Sequence, residues 1–82
     1  MFSNLDLAFM QEAIELAKEA ELNGEVPVGA VITLDNKIIG RGFNQVISSN
    51  DVTAHAEIIA IRDASKTINN YRLKNTCMYV TL

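Results

Sequence analysis

The sequence holds one histidine, His55, and a glutamate stands two positions after it, Glu57. They lie inside Thr53-Ala54-His55-Ala56-Glu57, at the head of a run of good helix formers. A helix that only packs against a core needs neither group in its first turn. The start of a helix carries free N–H groups and partial positive charge, which favour a bound anion such as hydroxide. An imidazole placed there can ligate a metal. Glu57 lies roughly 200° around a regular helix from His55, so the two do not chelate side by side. At the terminus both side chains still reach past the last turn. Glu57 is then placed to move protons on a metal-bound water. Taken alone, the tripeptide more often means solvated or capping residues.

Other residues offer weaker chemistry. Cys77 falls in Thr76-Cys77-Met78-Tyr79-Val80-Thr81-Leu82, whose β-branched and aromatic types read as a buried strand. Cys77 is therefore expected to be a small buried hydrophobe. Arg41, Arg62, Lys66, Arg72 and Lys74 are candidates for phosphate contact on charge alone. Tyr71 and Phe43 have rings that can stack on a base, although core or rim packing is the commoner role.

These residues need elements to position them. Leu7 to Leu22 reads as a helix, with N-cap candidates in Asn4-Leu5-Asp6. Phe9, Met10, Ala13, Ile14, Ala17 and Ala20 recur on one face of it, and Asn23-Gly24 stops it. Pro27 delays the next strand, so Val28 to Leu34 forms a strand covered on both faces. Asp35-Asn36 tolerates positive φ and marks a hairpin to a second strand, Lys37 to Gly42. A polar loop follows to Val52. Asp51 or Thr53 is expected to cap a second helix over Ala54 to Lys66, well buried through Ile58, Ile59, Ala60 and Ile61. Asn69-Asn70 ends it, and the third strand begins near Thr76. The order is α-β-β-α-β. A hairpin followed by a helical crossover implies an α/β fold with a mixed sheet.

Composition bounds the class. The 82 residues allow one small domain. With 49% hydrophobic and 21% charged residues, the chain is no disordered tail. No apolar run approaches the roughly 20 residues that span a bilayer, so no membrane role is expected. The first base is Lys18, which does not fit a secretory signal, and one Cys cannot build a disulfide framework. The expected compartment is the cytoplasm. Net charge is −3, but it is unevenly spread. Residues 1–35 carry seven acids and one base, whereas residues 36–82 carry three acids and six bases. An anionic partner can therefore approach the second half.

Several segments carry a resemblance beyond His-x-Glu. Glu25-Val26-Pro27-Val28-Gly29-Ala30-Val31, Gly42-Phe43-Asn44, Asp51 to Glu57, Asn70-Tyr71-Arg72-Leu73 and Tyr79-Val80-Thr81-Leu82 together resemble bacterial tRNA-specific adenosine deaminases, within the cytidine/deoxycytidylate deaminase superfamily. Order and spacing agree from the first helix onward. The resemblance implies a cytidine-deaminase-like sheet flanked by helices. It also implies hydrolytic conversion of the wobble adenosine of a tRNA anticodon loop to inosine, by a zinc-dependent homodimer. His55 then resembles the zinc-binding histidine, and Glu57 the proton shuttle. Asn44 matches a pocket asparagine that hydrogen-bonds the flipped nucleoside; without the resemblance, a loop Asn satisfying backbone groups is favoured. Val28 and the Ala56 backbone match pocket walls.

The family pairs His-x-Glu with a later P-C-x-x-C whose two cysteines complete the zinc site. That motif is absent from these 82 residues, and Cys77 is not at a ligand position. Residues 1–82 are therefore expected to be the N-terminal part of a deaminase domain, inactive alone. Two other readings are open. One is a truncated association module whose third strand pairs with another chain. The other is a nucleobase or nucleoside deaminase of the same superfamily.

Overall fold

The computed structural model describes residues 3–81. Helix α1 spans Asn4–Leu22. It begins earlier than the apolar periodicity suggests, because Ser3 and Asp6 form a reciprocal capping box. The Ser3 Oγ accepts from the Asp6 N–H at 3.0 Å, and Asp6 Oδ2 accepts from the Ser3 N–H at 3.0 Å. Gly24 takes φ +75° past the helix end, and the Glu25 N–H returns to the Ala20 carbonyl at 3.0 Å. Strand β1 is Gly29–Leu34 and β2 is Lys37–Phe43. The turn between them places Asp35 at φ +51° and Asn36 at +63°, the pair of positive values expected of this hairpin. Helix α2 is Ala56–Ile68, closed by Asn69 in the left-handed region at φ +53°. Strand β3 is Cys77–Val80. The expected strand ran on to Leu82, which lies outside the described residues.

The α/β class and the element order are as the sequence implies. The strand pairing differs from a mixed sheet. The sheet order is β2-β1-β3, and β1 pairs antiparallel with both neighbours. The crossover through α2 does return a strand running the same way as β2. It docks on the far edge of β1, so the two co-directional strands never touch.

The register sorts side chains onto two faces. Ala30 faces Gly42 and Ile32 faces Gly40 across the hairpin, and Val80 and Met78 align with them from β3. This face packs on α2, in a core of Ala30, Ile32, Ala56, Ala60 and Ala64. A Cβ at Gly42 would collide with the Ala56 carbonyl, and one at Gly40 with the Ala60 carbonyl. The helix thus lies almost directly on the strand backbone. That close approach makes alanines at i, i+4 and i+8 the buried stripe of α2. The isoleucines expected to be buried are displaced: Ile58 and Ile59 are half-buried, and Ile61 is 37% exposed. The opposite face packs on α1 through Phe9, Ala13 and Ala17, with Val31 fully buried. Phe9 and Tyr79 meet there in a tilted arrangement with ring centroids 5.4 Å apart, and the Tyr79 hydroxyl donates to Asp6 Oδ1.

Strand β3 is less covered than its composition suggests. Cys77 and Met78 are exposed, and Tyr79 and Val80 are half-buried. The reason is position: β3 is the edge of the described sheet, so only one side of it is paired. Cys77, expected in a core, begins that edge strand.

Candidate active site

The sequence-predicted residues converge where β2 ends, β1 begins and α2 starts. Asn44 follows β2 directly and is 7% exposed. Its backbone N–H donates to the Val28 carbonyl at 3.1 Å. Its side-chain Oδ1 accepts from the Ala56 N–H at 2.8 Å. Ala56 is the first residue of α2, and its N–H is one of the donors that a helix start leaves free. One asparagine therefore ties the entry of β1 to the head of α2. His55 and Glu57 flank Ala56 in the chain. His55 is exposed and Glu57 is half-buried.

His55 is the N-cap residue of α2, with extended backbone angles and no capping bond from its side chain. The helix starts two residues later than expected, and neither expected cap reaches it. Asp51 Oδ1 instead accepts from the Thr53 N–H at 2.9 Å and the Thr53 hydroxyl at 2.7 Å, closing a local turn. Those bonds hold the Asp51 carboxyl below its ordinary range. With Asn44 doing the capping across the fold, the His55 ring stays free of it.

Asn44 also fulfils the bland expectation, since it does satisfy a backbone group. Its Nδ2 makes no hydrogen bond among the described residues. No buried side-chain nitrogen or oxygen among them lacks a partner, so that amide keeps access to solvent. A donor beside His55 and Glu57 is thus available to a bound molecule. Val28 is half-buried and packs against the α2-side core, and Ala56 is fully buried.

The structure gives Glu25 a role that its sequence neighbours do not show. It is 6% exposed, and its carboxylate accepts from the Ile47 N–H at 3.0 Å and the Ser48 N–H at 2.6 Å. Burial pushes this carboxyl up, but the backbone donors of Ile47 and Ser48 outweigh it and hold it below its ordinary 4.5. The bonded turn belongs to the loop that carries Asn44 at one end and His55 at the other. The Gln45 N–H to Ala54 carbonyl bond, 2.9 Å, closes that loop at its base. No local signal marks this partnership, because Glu25 and its partners are 22 and 23 residues apart.

A metal needs more donors than this site offers. No group of three His, Cys, Asp or Glu able to hold a metal ion occurs among the described residues. His55 supplies one nitrogen, and Cys77 stands on β3 at the sheet edge. A tetrahedral catalytic zinc takes three protein ligands and a water. The residues described here do not make up that set.

An α/β sheet whose helix opens on His-x-Glu, held to the preceding hairpin by a buried asparagine, defines the deaminase class of fold and site. The chain belongs to the cytidine and deoxycytidylate deaminase zinc-binding family, which matches residues 3–82. It is 58% identical over 82 residues to a tRNA-specific adenosine deaminase of Buchnera aphidicola from Schizaphis graminum, covering 100% of this chain and 54% of that protein. It is 43% identical over 77 residues to the tRNA-specific adenosine deaminase of Bacillus subtilis, covering 94% and 48%. The chain thus spans about half the length of the curated relatives it matches. A solved structure from work on tRNA:A34 deaminases superposes with TM-score 0.88 at 44% identity, covering 92% of this chain and 58% of the other. Guanine deaminase from Bacillus subtilis superposes with TM-score 0.86 at 41% identity, covering 96% and 50%.

Proposed function

We propose that residues 1–82 are the N-terminal part of a tRNA adenosine deaminase domain. The reaction is hydrolysis at C6 of a wobble adenine in the anticodon loop. Water adds at C6, the amine leaves as ammonia, and inosine remains. Glu57 takes a proton from the water and passes it to the departing amine. Asn44 offers Nδ2 to the flipped nucleoside while its Oδ1 stays on Ala56. Val28 and the Ala56 backbone form walls beside it. His55 contributes one zinc ligand, with the other protein ligands coming from outside the described residues. The observation that carries this reading is the Asn44–Ala56 bond, which ties the buried asparagine to the helix residue between His55 and Glu57. Homodimerisation and a cytoplasmic location belong to the same reading, and the single cysteine suits a reducing compartment.

The test joins this chain to the part of the Buchnera relative that it does not cover. The 82-residue chain alone is expected to bind zinc substoichiometrically and to form no inosine on tRNA. The joined protein is expected to bind zinc and form inosine, and its Glu57→Gln variant to bind zinc without turnover. Tight stoichiometric zinc and deamination by the 82 residues alone would sink the proposal. A second reading is nucleobase deamination, favoured by the likeness to guanine deaminase at 41% identity. Ammonia release from free guanine, without inosine in tRNA, would select it.

A further inference from the structure

Three of the five scattered bases noted in the sequence come together. A groove of about 470 Å³ runs along the outer edge of β2, with Arg41 from that strand and Arg62 and Lys66 from α2 on its rim. Phe43 and Ile59, both half-buried, line it as well. Arg72 and Lys74 do not line it.

None of the three cations makes an ion pair among the described residues. The one ion pair among the described residues joins Lys18 to Glu15 on α1. Arg62 lies near enough to Asp51 to help lower its carboxyl. Asp63 is the one acid lining the groove, and its Oδ2 accepts from the Arg41 N–H at 2.9 Å. That bond caps the free edge of β2, so the carboxylate is partly spent on backbone rather than on the bases around it. Exposed cations of this kind are held together against their mutual repulsion, which an anion relieves.

The groove also has a fixed relation to the candidate active site. Ile59 is one turn from His55 along α2, and Arg62 and Lys66 follow at about 10 and about 16 Å of helix rise. They share the helix face that borders β2. A single strand with one base turned into the site at His55 has its neighbouring phosphates within reach of this line. An apolar floor with a cationic rim suits a nucleotide, whose base and phosphate differ in the same way. The far wall, at Leu16 of α1, is acidic on either side, with Glu12 and Glu19 one turn away. Repulsion from that wall favours the α2 side for a polyanion.

We infer that the Arg41–Arg62–Lys66 groove is a contact surface for the phosphodiester backbone of RNA flanking the reactive base. That the polyanion is RNA rests on the tRNA reading above.

The experiment measures binding of a single-stranded RNA oligonucleotide to the 82-residue chain as salt is varied. Each phosphate contact on a single strand contributes about 0.7 to the slope of log affinity against log salt. Arg62→Ala with Lys66→Ala is expected to reduce that slope by about 1.4 and to weaken binding about tenfold at low salt. Arg72→Ala with Lys74→Ala, the same change in charge, is expected to leave the slope in place. Both pairs are exposed, and thermal melts of the variants check that they are folded. Equal losses from the two pairs would show diffuse attraction and overturn the inference. Loss on Asn44→Ala without loss on the groove variant would overturn it while leaving the deaminase reading intact. Binding of polyglutamate at the groove with no RNA binding would overturn it and count against the tRNA reading too.

Discussion

Asn44 serves two readings with two atoms, so substitutions can separate them. Asn44→Ala leaves the buried Ala56 N–H without its acceptor and is expected to cost about 1–3 kcal/mol in denaturant unfolding. Asn44→Asp keeps an oxygen for Ala56 and removes the Nδ2 donor. It is expected to retain most of the stability and, in the joined protein, to lose inosine formation. Equal stability losses in the two variants would reduce Asn44 to a backbone cap. Glu25 is a positioning residue. Glu25→Gln removes the charge but keeps one acceptor, and it is expected to speed hydrogen exchange at the Ile47 and Ser48 amides while leaving α1 amides protected. Asn44 was legible as a candidate only through the resemblance carried by Gly42-Phe43-Asn44, because a loop Asn after a strand more often satisfies backbone groups. Glu25 was not, because its partners are defined only once β1 and the loop are side by side.

The elements meet through small residues. The Gly40–Gly42 stretch of β2 and the Ala56–Ala60–Ala64 stripe of α2 bring backbone against backbone. This contact sets the distance from which Asn44 can reach Ala56. Gly42→Ala is expected to push α2 off the strand at an overpacking cost of about 1–3 kcal/mol, seen as a lowered denaturation midpoint. Gly24→Ala meets no atom at all, but it must take φ +75°, so any loss there reports backbone strain alone. Comparing the two separates contact from conformation. Whereas α1 starts three residues earlier and α2 two residues later than periodicity suggests, the helix stops and the hairpin turn followed from local stop and turn chemistry. The buried face of α2 did not, since isoleucine outranks alanine in hydrophobicity. Close approach reverses that order, because only a methyl fits between helix and strand.

At the scale of the molecule, three carboxylates among the described residues sit below their ordinary range through hydrogen bonds: Asp6 from Tyr79 and Ser3, Asp51 from Thr53, and Glu25 from Ile47 and Ser48. A depressed folded value means stability that is present above the ordinary range of 3.8 to 4.5 and lost as pH falls through the lower folded values. Thermal melts are therefore expected to be steady from neutral pH to about 5 and to fall below about 4. Tyr79→Phe, which frees Asp6 and unties α1 from β3, is expected to flatten part of that fall. The sequence by itself determined the α-β-β-α-β order, the hairpin turn, both helix stops and the His55–Glu57 pair, because each depends on neighbours within a few residues. The tertiary structure alone decided that β3 docks on the far side of β1, that alanines rather than isoleucines fill the α2 core, and that Cys77 stays exposed. It also decided that Glu25 fastens the loop bearing Asn44 and His55, and that three separate bases share one groove. Those outcomes depend on which backbones lie side by side, and chain separation hides that until the sheet has formed.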